Sequence, residues 1–388
     1  MNSHADVQRL RGRRLYFLHT NPAYLVGLRL PMLVALVKAG CDVTAFAPGL
    51  GEEHARVLRE HGITGRELSI RAAGMNPFLD VLDTARMVRL FRSERPDIVF
   101  GNNIKPVVFG TIAAALARVR MRYALVGGLG YAFTAIPHGP VPFARRLSGL
   151  IASGLYAVSF RLASAMVFHN RDDVELLTRR RICPPGKASV VSGSGVDTDA
   201  YSPGDRVAVP RFVFVGRMLA DKGVREFLQA ARQVKHACPE ATFLLVGAVD
   251  ANPSAIGRDE IDGYVQSGDV EWVGKVSDVR PYLRESSVFV LPSYREGLPR
   301  STLEAMACGL AVITTDAPGC RDTVEQGVNG LAVPVGDAVA LAGAMQSLCD
   351  NAGLRDSMGR ESRRMAVARF SCETVNRDIV ALLEKGIV

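Results

Sequence analysis

The sequence predicts an α/β protein made of two doubly wound parallel sheets, and three observations carry that prediction. Short apolar runs without alternation, such as Val288 to Leu291 and Ala311 to Thr315, read as strands buried on both faces. Helical patterns separate these runs, so each strand is reached by a crossover and the pairing is parallel. The chain of 388 residues exceeds one ordinary core, and a Ser-, Gly-, Asp- and Pro-rich stretch from Val190 to Pro210 parts two such series.

In the first series Leu15 to His19 is the opening strand, Thr20 to Gly27 a loop, and Leu28 to Ala39 an amphipathic helix stopped by Gly40. Cys41 to Ala47, Ile98 to Phe100, Ala124 to Val126 and Ala165 to Phe168 continue the strands. In the second series the strands are Phe212 to Val215, Thr242 to Val246, Val270 to Val273, Val288 to Leu291 and Ala311 to Thr314. The expected division is a first domain over 1–195, a linker over 196–210, a second domain over 211–370, and a last helix within 371–388. A cleft between two Rossmann-like domains is the predicted architecture.

With 48% apolar and 22% charged residues the chain is globular rather than disordered. The first seventeen residues carry arginines and no apolar segment, so they do not read as a secretory signal. The apolar stretch between Arg146 and Arg161 is too short to cross a bilayer. Seven scattered cysteines, an odd number without C-x-x-C spacing, fit a reduced cytoplasmic chain with small buried thiols. His and Cys show no ligand spacing, and no metal site is predicted.

The net charge of +8 is unevenly divided. Residues 1–195 hold 26 Lys and Arg against 13 Asp and Glu, a net +13, and the remainder, 21 against 26, carries −5. No acidic residue occurs between Asp97 and Asp172, an interval that contains Lys105, Arg118, Arg120, Arg122, Arg145, Arg146, Arg161 and Arg171. Interleaved with Leu147, Leu150, Ile151, Tyr156 and Phe160, these cations suit an anionic membrane face. A solvated helix with one buried apolar face explains the same pattern. No nucleic-acid-binding module is recognisable.

Two segments carry chemistry. Phe214 to Gly223 is a strand ending in Gly216, with Arg217 and Lys222 at the start of a helix. An Arg fork, a Lys point charge and a helix N-terminus together suit a diphosphate, both in binding and as a leaving group. Tyr294 to Gly309 is a loop and helix between two strands: Pro299 presets the helix start, Ser301 or Thr302 can cap it, and Gly309 stops it. Glu296 then lies in the loop and Glu304 inside the helix, two carboxylates at the carboxyl edge of a sheet where hydroxyl-rich, phosphorylated ligands bind.

This Glu-x7-Glu segment, continuing through Thr315-Asp316-Ala317-Pro318-Gly319 and Gly327-Val328-Asn329-Gly330, resembles the retaining GT-B glycosyltransferases of family 4. The resemblance implies a UDP-sugar donor carrying a hexose or N-acetylhexosamine, a lipid-linked saccharide acceptor of bacterial surface-glycan synthesis, and a peripheral position on the inner face of the cell membrane. It gives Arg217 and Lys222 the donor pyrophosphate, Glu304 the ribose hydroxyls, and Glu296 the sugar ring, with Gly216, Gly297, Leu298, Pro299 and Arg300 lining the donor. Val276 falls where such proteins hold the base, and equally reads as a strand-end core residue. The implied chemistry uses no protein nucleophile, no metal and no cofactor, because Arg217 and Lys222 stand in for a divalent ion.

On the sugar and acceptor side the resemblance points to Arg29, Asn103, Lys105, Gly128, Gly130 and Tyr131, although the glycines also serve as a simple turn. Many relatives place a His after the fourth strand, where this chain has Gly127-Gly128-Leu129-Gly130. His19 and His138 are the available substitutes. A non-hydrolysing UDP-sugar epimerase and a catalytically silent nucleotide-sugar-binding subunit share the layout and stay open. A dehydrogenase does not, since no G-x-G-x-x-G follows the first strand.

Overall fold

The computed structural model describes residues 9–68, 77–129, 143–205, 209–250, 252 and 254–386, and the side chains of residues 77, 143–146 and 148 lie outside the described set. Gly130, Tyr131 and His138, and the side chains of Arg145 and Arg146, therefore fall outside the described residues. The chain forms two compact units: of the described residues, those up to Ser194 together with those from Cys372 onward make the first, and Gly195 to Ser371 make the second.

The first unit holds seven strands, β1 (Arg14–Leu18), β2 (Asp42–Ala47), β3 (Thr64–Glu67), β4 (Ile98–Asn102), β5 (Met121–Val126), β6 (Ala165–Phe168) and β7 (Ala188–Val190). Their order is β3-β2-β1-β4-β5-β6-β7, and every pairing is parallel. The order reverses between β1 and β4, which opens a crevice at their carboxyl ends. On one sheet face the helices Leu30–Lys38 and Cys372–Lys385 share a core, Met32, Leu33 and Leu36 with Val375, Ile379 and Leu383 against Leu15 and Phe17. On the other face lie the helices Pro77–Glu94, Thr111–Leu116 and Phe143–Leu162. Met87 and Phe91 pack on Tyr16, Phe46 and Val99, while Tyr156 and Phe160 pack on Val126, Met166 and Phe168. Each such fully buried aromatic contributes about 2–3 kcal/mol relative to exposure. Leu147, Leu150, Ile151 and Val158, on the far side of Phe143–Leu162, stay exposed. Among the described residues no helix is long and apolar enough to cross a membrane.

The second unit holds β8 (Arg211–Val215), β9 (Thr242–Val246), β10 (Glu271–Gly274), β11 (Val288–Leu291), β12 (Ala311–Thr315) and β13 (Gly330–Val333), all parallel, in the order β10-β9-β8-β11-β12-β13. Its reversal lies between β8 and β11. Helix Val224–Ala237 buries Val224, Phe227, Leu228, Ala231 and Val234, one face at helical spacing, and Phe227 joins Phe212, Phe214 and Phe243 in an aromatic cluster. The chain enters at Val196 and leaves at Ser371 side by side, with the Val196 N–H donating to the Phe370 carbonyl at 2.8 Å.

Several expectations need correcting. The loop expected over Thr20 to Gly27 is helical from Pro22: Asn21 Oδ1 accepts the Tyr24 N–H at 3.0 Å, Pro22 opens the helix, and a π-turn Leu25–Arg29 runs into Leu30–Lys38. A proline at the first helical position starts a helix rather than breaking one, and here Asn21 caps it. The strands β3, β7 and β13 were absent from the reading because each is a short edge strand with a half-exposed pattern. All seven cysteines are free thiols.

Candidate functional site

In the second unit the loops after β8 and β11 are joined by their backbones. The Tyr294 N–H donates to the Asp221 carbonyl at 2.9 Å, and Ser293 Oγ donates to the same oxygen at 3.1 Å. Gly223 ends the 3₁₀ turn Ala220–Lys222 with φ +73°, and a Cβ there would lie 2.1 Å from the Pro292 carbonyl oxygen. Only glycine permits that approach. The result is direct contact between Lys222 and Glu296, whose side chains form an ion pair while only 22% and 13% exposed.

A third loop fixes Glu296 from behind. Its N–H donates to the Pro318 carbonyl at 2.9 Å, and Gly319, at φ +77°, has room for no Cβ because one would stand 2.4 Å from the Glu296 carbonyl oxygen. The sequence stretch Asp316 to Gly319 thus belongs to the site as a backbone support for the first glutamate.

Glu304 occupies the second turn of the helix Arg300–Ala307 and is buried. Arg300 Nε approaches its Oε1 at 2.7 Å, and the Tyr201 phenol is hydrogen-bonded to the carboxylate. Burial pushes the Glu304 carboxyl above its ordinary range, against the opposing charge of Arg300. The helix start differs from expectation: Pro299 is the N-cap, no side chain caps the helix, and Ser301 and Thr302 lie within its first turn. Thr302 Oγ1 is buried without a partner among the described residues. The uncapped first turn leaves amides for an anion.

Arg217, directly after Gly216 beyond the end of β8, is exposed and pairs with Asp250 at 2.9 Å. It shares a loop with Lys222, but its guanidinium is tethered to the end of β9 rather than to Glu296. Val276, just after β10, is half-buried against the core of the second unit. Gly297 and Leu298 are half-buried, Pro299 is buried, and Arg300 is exposed.

The first unit collects a different set. At the carboxyl ends of β1, β4, β5 and β6 stand His19, Asn102, Gly127 and His169, together with Arg29 from the π-turn. Arg29 Nε donates to Asn102 Oδ1 at 2.9 Å, and both side chains are buried. His19 Nδ1 accepts the Asn21 N–H at 2.9 Å, and burial with the charge of Arg29 pushes this imidazole down to about 4. His169 is pushed down to about 3 by the same two causes, and its Nε2 has no partner among the described residues. A Cβ on Gly127 would come within 3.3 Å of the His169 ring and 3.7 Å of Arg29 Nη2. His169 is the residue that sequence reasoning missed. Its signal was its place immediately after the apolar run of β6, before Asn170 caps the next helix by accepting the Asp173 N–H.

Of the other residues expected there, Arg29 joins this cluster, whereas Asn103 and Lys105 face elsewhere. Asn103 is exposed at φ +74° and donates to Thr20 Oγ1 at 2.7 Å, leaving the inward position to Asn102. Lys105 is paired with Asp80 at 2.7 Å, both largely buried. Gly128 is half-buried in the loop after β5, at φ +149°. Among the described residues no group of His, Cys, Asp and Glu could hold a metal ion.

Residues 30–193 match the model of the glycosyl transferase 4-like domain, and residues 209–351 match that of glycosyl transferases group 1. The chain is 28% identical, over 91% of its own length and 94% of the other protein, to the Campylobacter jejuni N,N'-diacetylbacillosaminyl-diphospho-undecaprenol alpha-1,3-N-acetylgalactosaminyltransferase. It is 25% identical, over 75% of its length and 76% of the other, to the Escherichia coli UDP-Gal:alpha-D-GlcNAc-diphosphoundecaprenol alpha-1,3-galactosyltransferase. Among solved structures, Anabaena HepE in complex with UDP superposes with a TM-score of 0.73 at 18% identity, covering 96% of this chain and all of that one. Sucrose-phosphate synthase from Thermosynechococcus elongatus gives a TM-score of 0.75 at 20% identity, covering 96% of this chain and 98% of that one. The paired strand orders, the joined loops after β8 and β11, and the two family models spanning both units agree: the chain belongs to the group 1 glycosyltransferases of the GT-B fold.

Proposed function

We propose that this glycosyltransferase moves a hexose or N-acetylhexosamine from a UDP-sugar, with retention of configuration, onto a saccharide carried by a lipid diphosphate in bacterial surface-glycan synthesis. The observation that carries the proposal is the Lys222–Glu296 pair, held by three loops at the crevice of the second unit. Lys222 and Arg217 neutralise the donor diphosphate as it departs, and the first-turn amides of Arg300–Ala307 add the field of a helix N-terminus. Glu296 accepts sugar hydroxyls, and Glu304, with two acceptor oxygens, takes the ribose diol in exchange for Arg300. No side chain serves as nucleophile. The departing phosphate oxygen takes the acceptor proton while the new bond forms on the same face, and the protein contributes positioning and electrostatic stabilisation. The diphosphate cations make the reaction independent of metal.

The acceptor class follows from the names of the Campylobacter and E. coli relatives, both transferases onto undecaprenyl-diphosphate-linked sugars. The exposed apolar stripe Leu147, Leu150 and Ile151 favours a peripheral place on the inner face of the cell membrane. The deciding experiment incubates the protein with UDP-GalNAc, UDP-GlcNAc, UDP-galactose or UDP-glucose and an undecaprenyl-diphosphate-linked sugar, in the presence of a chelator, and follows UDP release and the anomeric proton of the product. UDP release with an α-linked product supports the reading. Sugar conversion without acceptor points to an epimerase, and donor binding without turnover across the acceptor panel to a silent subunit.

A further inference from the structure

In the first unit an open groove of about 890 Å³ runs between the helices Pro77–Glu94 and Thr111–Leu116. Val81, Ala85 and Val88 form one wall, and Phe109, Ile112 and Leu116 the other. Val81 and Leu116 are among the most exposed large apolar side chains of the unit, and Phe78, one turn before Val81, is 87% exposed. Solvent-facing hydrocarbon of this extent marks a surface that meets another apolar body.

The groove has a direction. Its mouth at Val81 adjoins the Asp80–Lys105 pair, and Lys105 follows β4, so the mouth opens at the carboxyl edge where the crevice of this unit lies. Its far end is closed by Arg92, whose Nη2 donates to the Leu116 carbonyl at 3.1 Å. From Val81 to Arg92 the helix rises ~16 Å. The charges that line it are both cationic, Arg89 and Arg92, and no carboxylate is among the lining residues. A protein helix would leave those arginines without carboxylate partners, whereas at an anionic bilayer the surrounding lipid phosphates meet the arginines at the far rim while a hydrocarbon chain fills the apolar walls. The same helical layer also exposes Leu147, Leu150 and Ile151.

We propose that this groove holds the head-proximal hydrocarbon of the polyprenyl-diphosphate acceptor, with its head at the Val81 mouth and its chain running toward Arg92. The assignment rests on the lipid-linked acceptor proposed above. The rest of the chain leaves over the rim into the bilayer.

The test uses the full-length protein and a polyprenyl diphosphate bearing a benzophenone on a head-proximal isoprene unit, presented in anionic vesicles. Photolysis followed by peptide mapping should label residues within 78–93 and 106–118. Labelling confined to Phe143–Leu162 or to the second unit overturns the proposal. This readout needs no turnover, so it stands even if the transferase reading fails. Kinetics give a second arm: Ala85→Trp, which fills the groove, should raise KM for a long-chain acceptor about tenfold and leave a short-chain, water-soluble acceptor unchanged. Val81→Trp, at the exposed mouth where folding is not at risk, should act in the same direction. Equal effects on both acceptors, or none on either, overturn it.

Discussion

The two units share a strand order and a crevice at its reversal, but the crevices are furnished in opposite ways. In the second unit charges of both signs meet: Lys222 with Glu296, Arg300 with Glu304, Arg217 with Asp250. In the first unit one buried guanidinium, Arg29, stands among neutral partners, Asn102, His19 and His169. A crevice of paired charges can exchange an internal partner for a diphosphate or a diol with little net desolvation. A crevice of one buried cation and two imidazoles held neutral instead offers hydrogen bonds to an uncharged polar ring. The fold supplies the location, and the loop residues decide the ligand class.

Removing the central cation should separate the units most sharply. Lys222→Met is expected to lower kcat/KM about 10²–10³-fold, or ~3–4 kcal/mol of transition-state stabilisation, with far-UV circular dichroism unchanged. Arg29→Met should leave the melting shift given by UDP intact. Loss of that shift in Arg29→Met would break the division of labour.

Next in size is the backbone contact that joins the loops. Gly223→Ala forces a side chain into a left-handed backbone against the Pro292 carbonyl and should cost the second unit about 2–4 kcal/mol. The protein has one tryptophan, Trp272, and it lies in the second unit, where its Nε1 donates to the Gly247 carbonyl at 2.9 Å. Its fluorescence therefore reads that unit alone. The tryptophan transition should fall in Gly223→Ala while the first unit, followed by hydrogen exchange at β1 and β4, is unaffected.

Acid should act on the other unit. His19 and His169 bind protons more weakly folded than unfolded, at about 4 and about 3 against an ordinary 6.5. Their contribution to stability is full above pH 6.5 and is lost as pH falls toward the folded values, about 2 kcal/mol each by pH 5. Glu304 runs the other way: its carboxyl is raised by burial, so acidification relieves the second unit. Between pH 7.5 and 5, hydrogen exchange in the first unit should accelerate while the Trp272 melting transition holds or rises. A fall in both would refute the contrast.

The smallest effect is expected at Glu304→Gln. The amide keeps its packing beside Tyr201 and Arg300 but offers one acceptor where the carboxylate offers two, so donor binding should weaken about tenfold, ~1.4 kcal/mol. Stability should change by less than ~1 kcal/mol, because burial already opposes the charge.

What sequence could reveal follows the same contrast. β9 and β11 were legible as apolar runs because a parallel strand covered on both faces has no room for polar alternation. β3, with the sequence Thr-Gly-Arg-Glu, was not, because it lies at an edge and its side chains reach water. The places of Lys222, Glu296 and Glu304 on their loops and helix were legible because the spacing is fixed locally, while their roles rest on the family resemblance. The Lys105–Asp80 pair and the Arg29–Asn102 contact were invisible because each joins residues far apart in the chain. The basic interval after Asp97 therefore overstated the free positive charge. Lys105 is neutralised from upstream, and Arg122 is turned onto the backbone carbonyls of Leu162 and Val119.

The side-by-side entry and exit of the chain at Val196 and Ser371 has a consequence for synthesis. Among the described residues the second unit is one continuous stretch, whereas the first lacks a helix until Cys372–Lys385 has been made. On a ribosome the later-starting unit is therefore the first whose chain is complete. Until then Leu33 and Leu36 lack the cover of Ile379 and Leu383, so the nascent first unit carries an incomplete, water-exposed core.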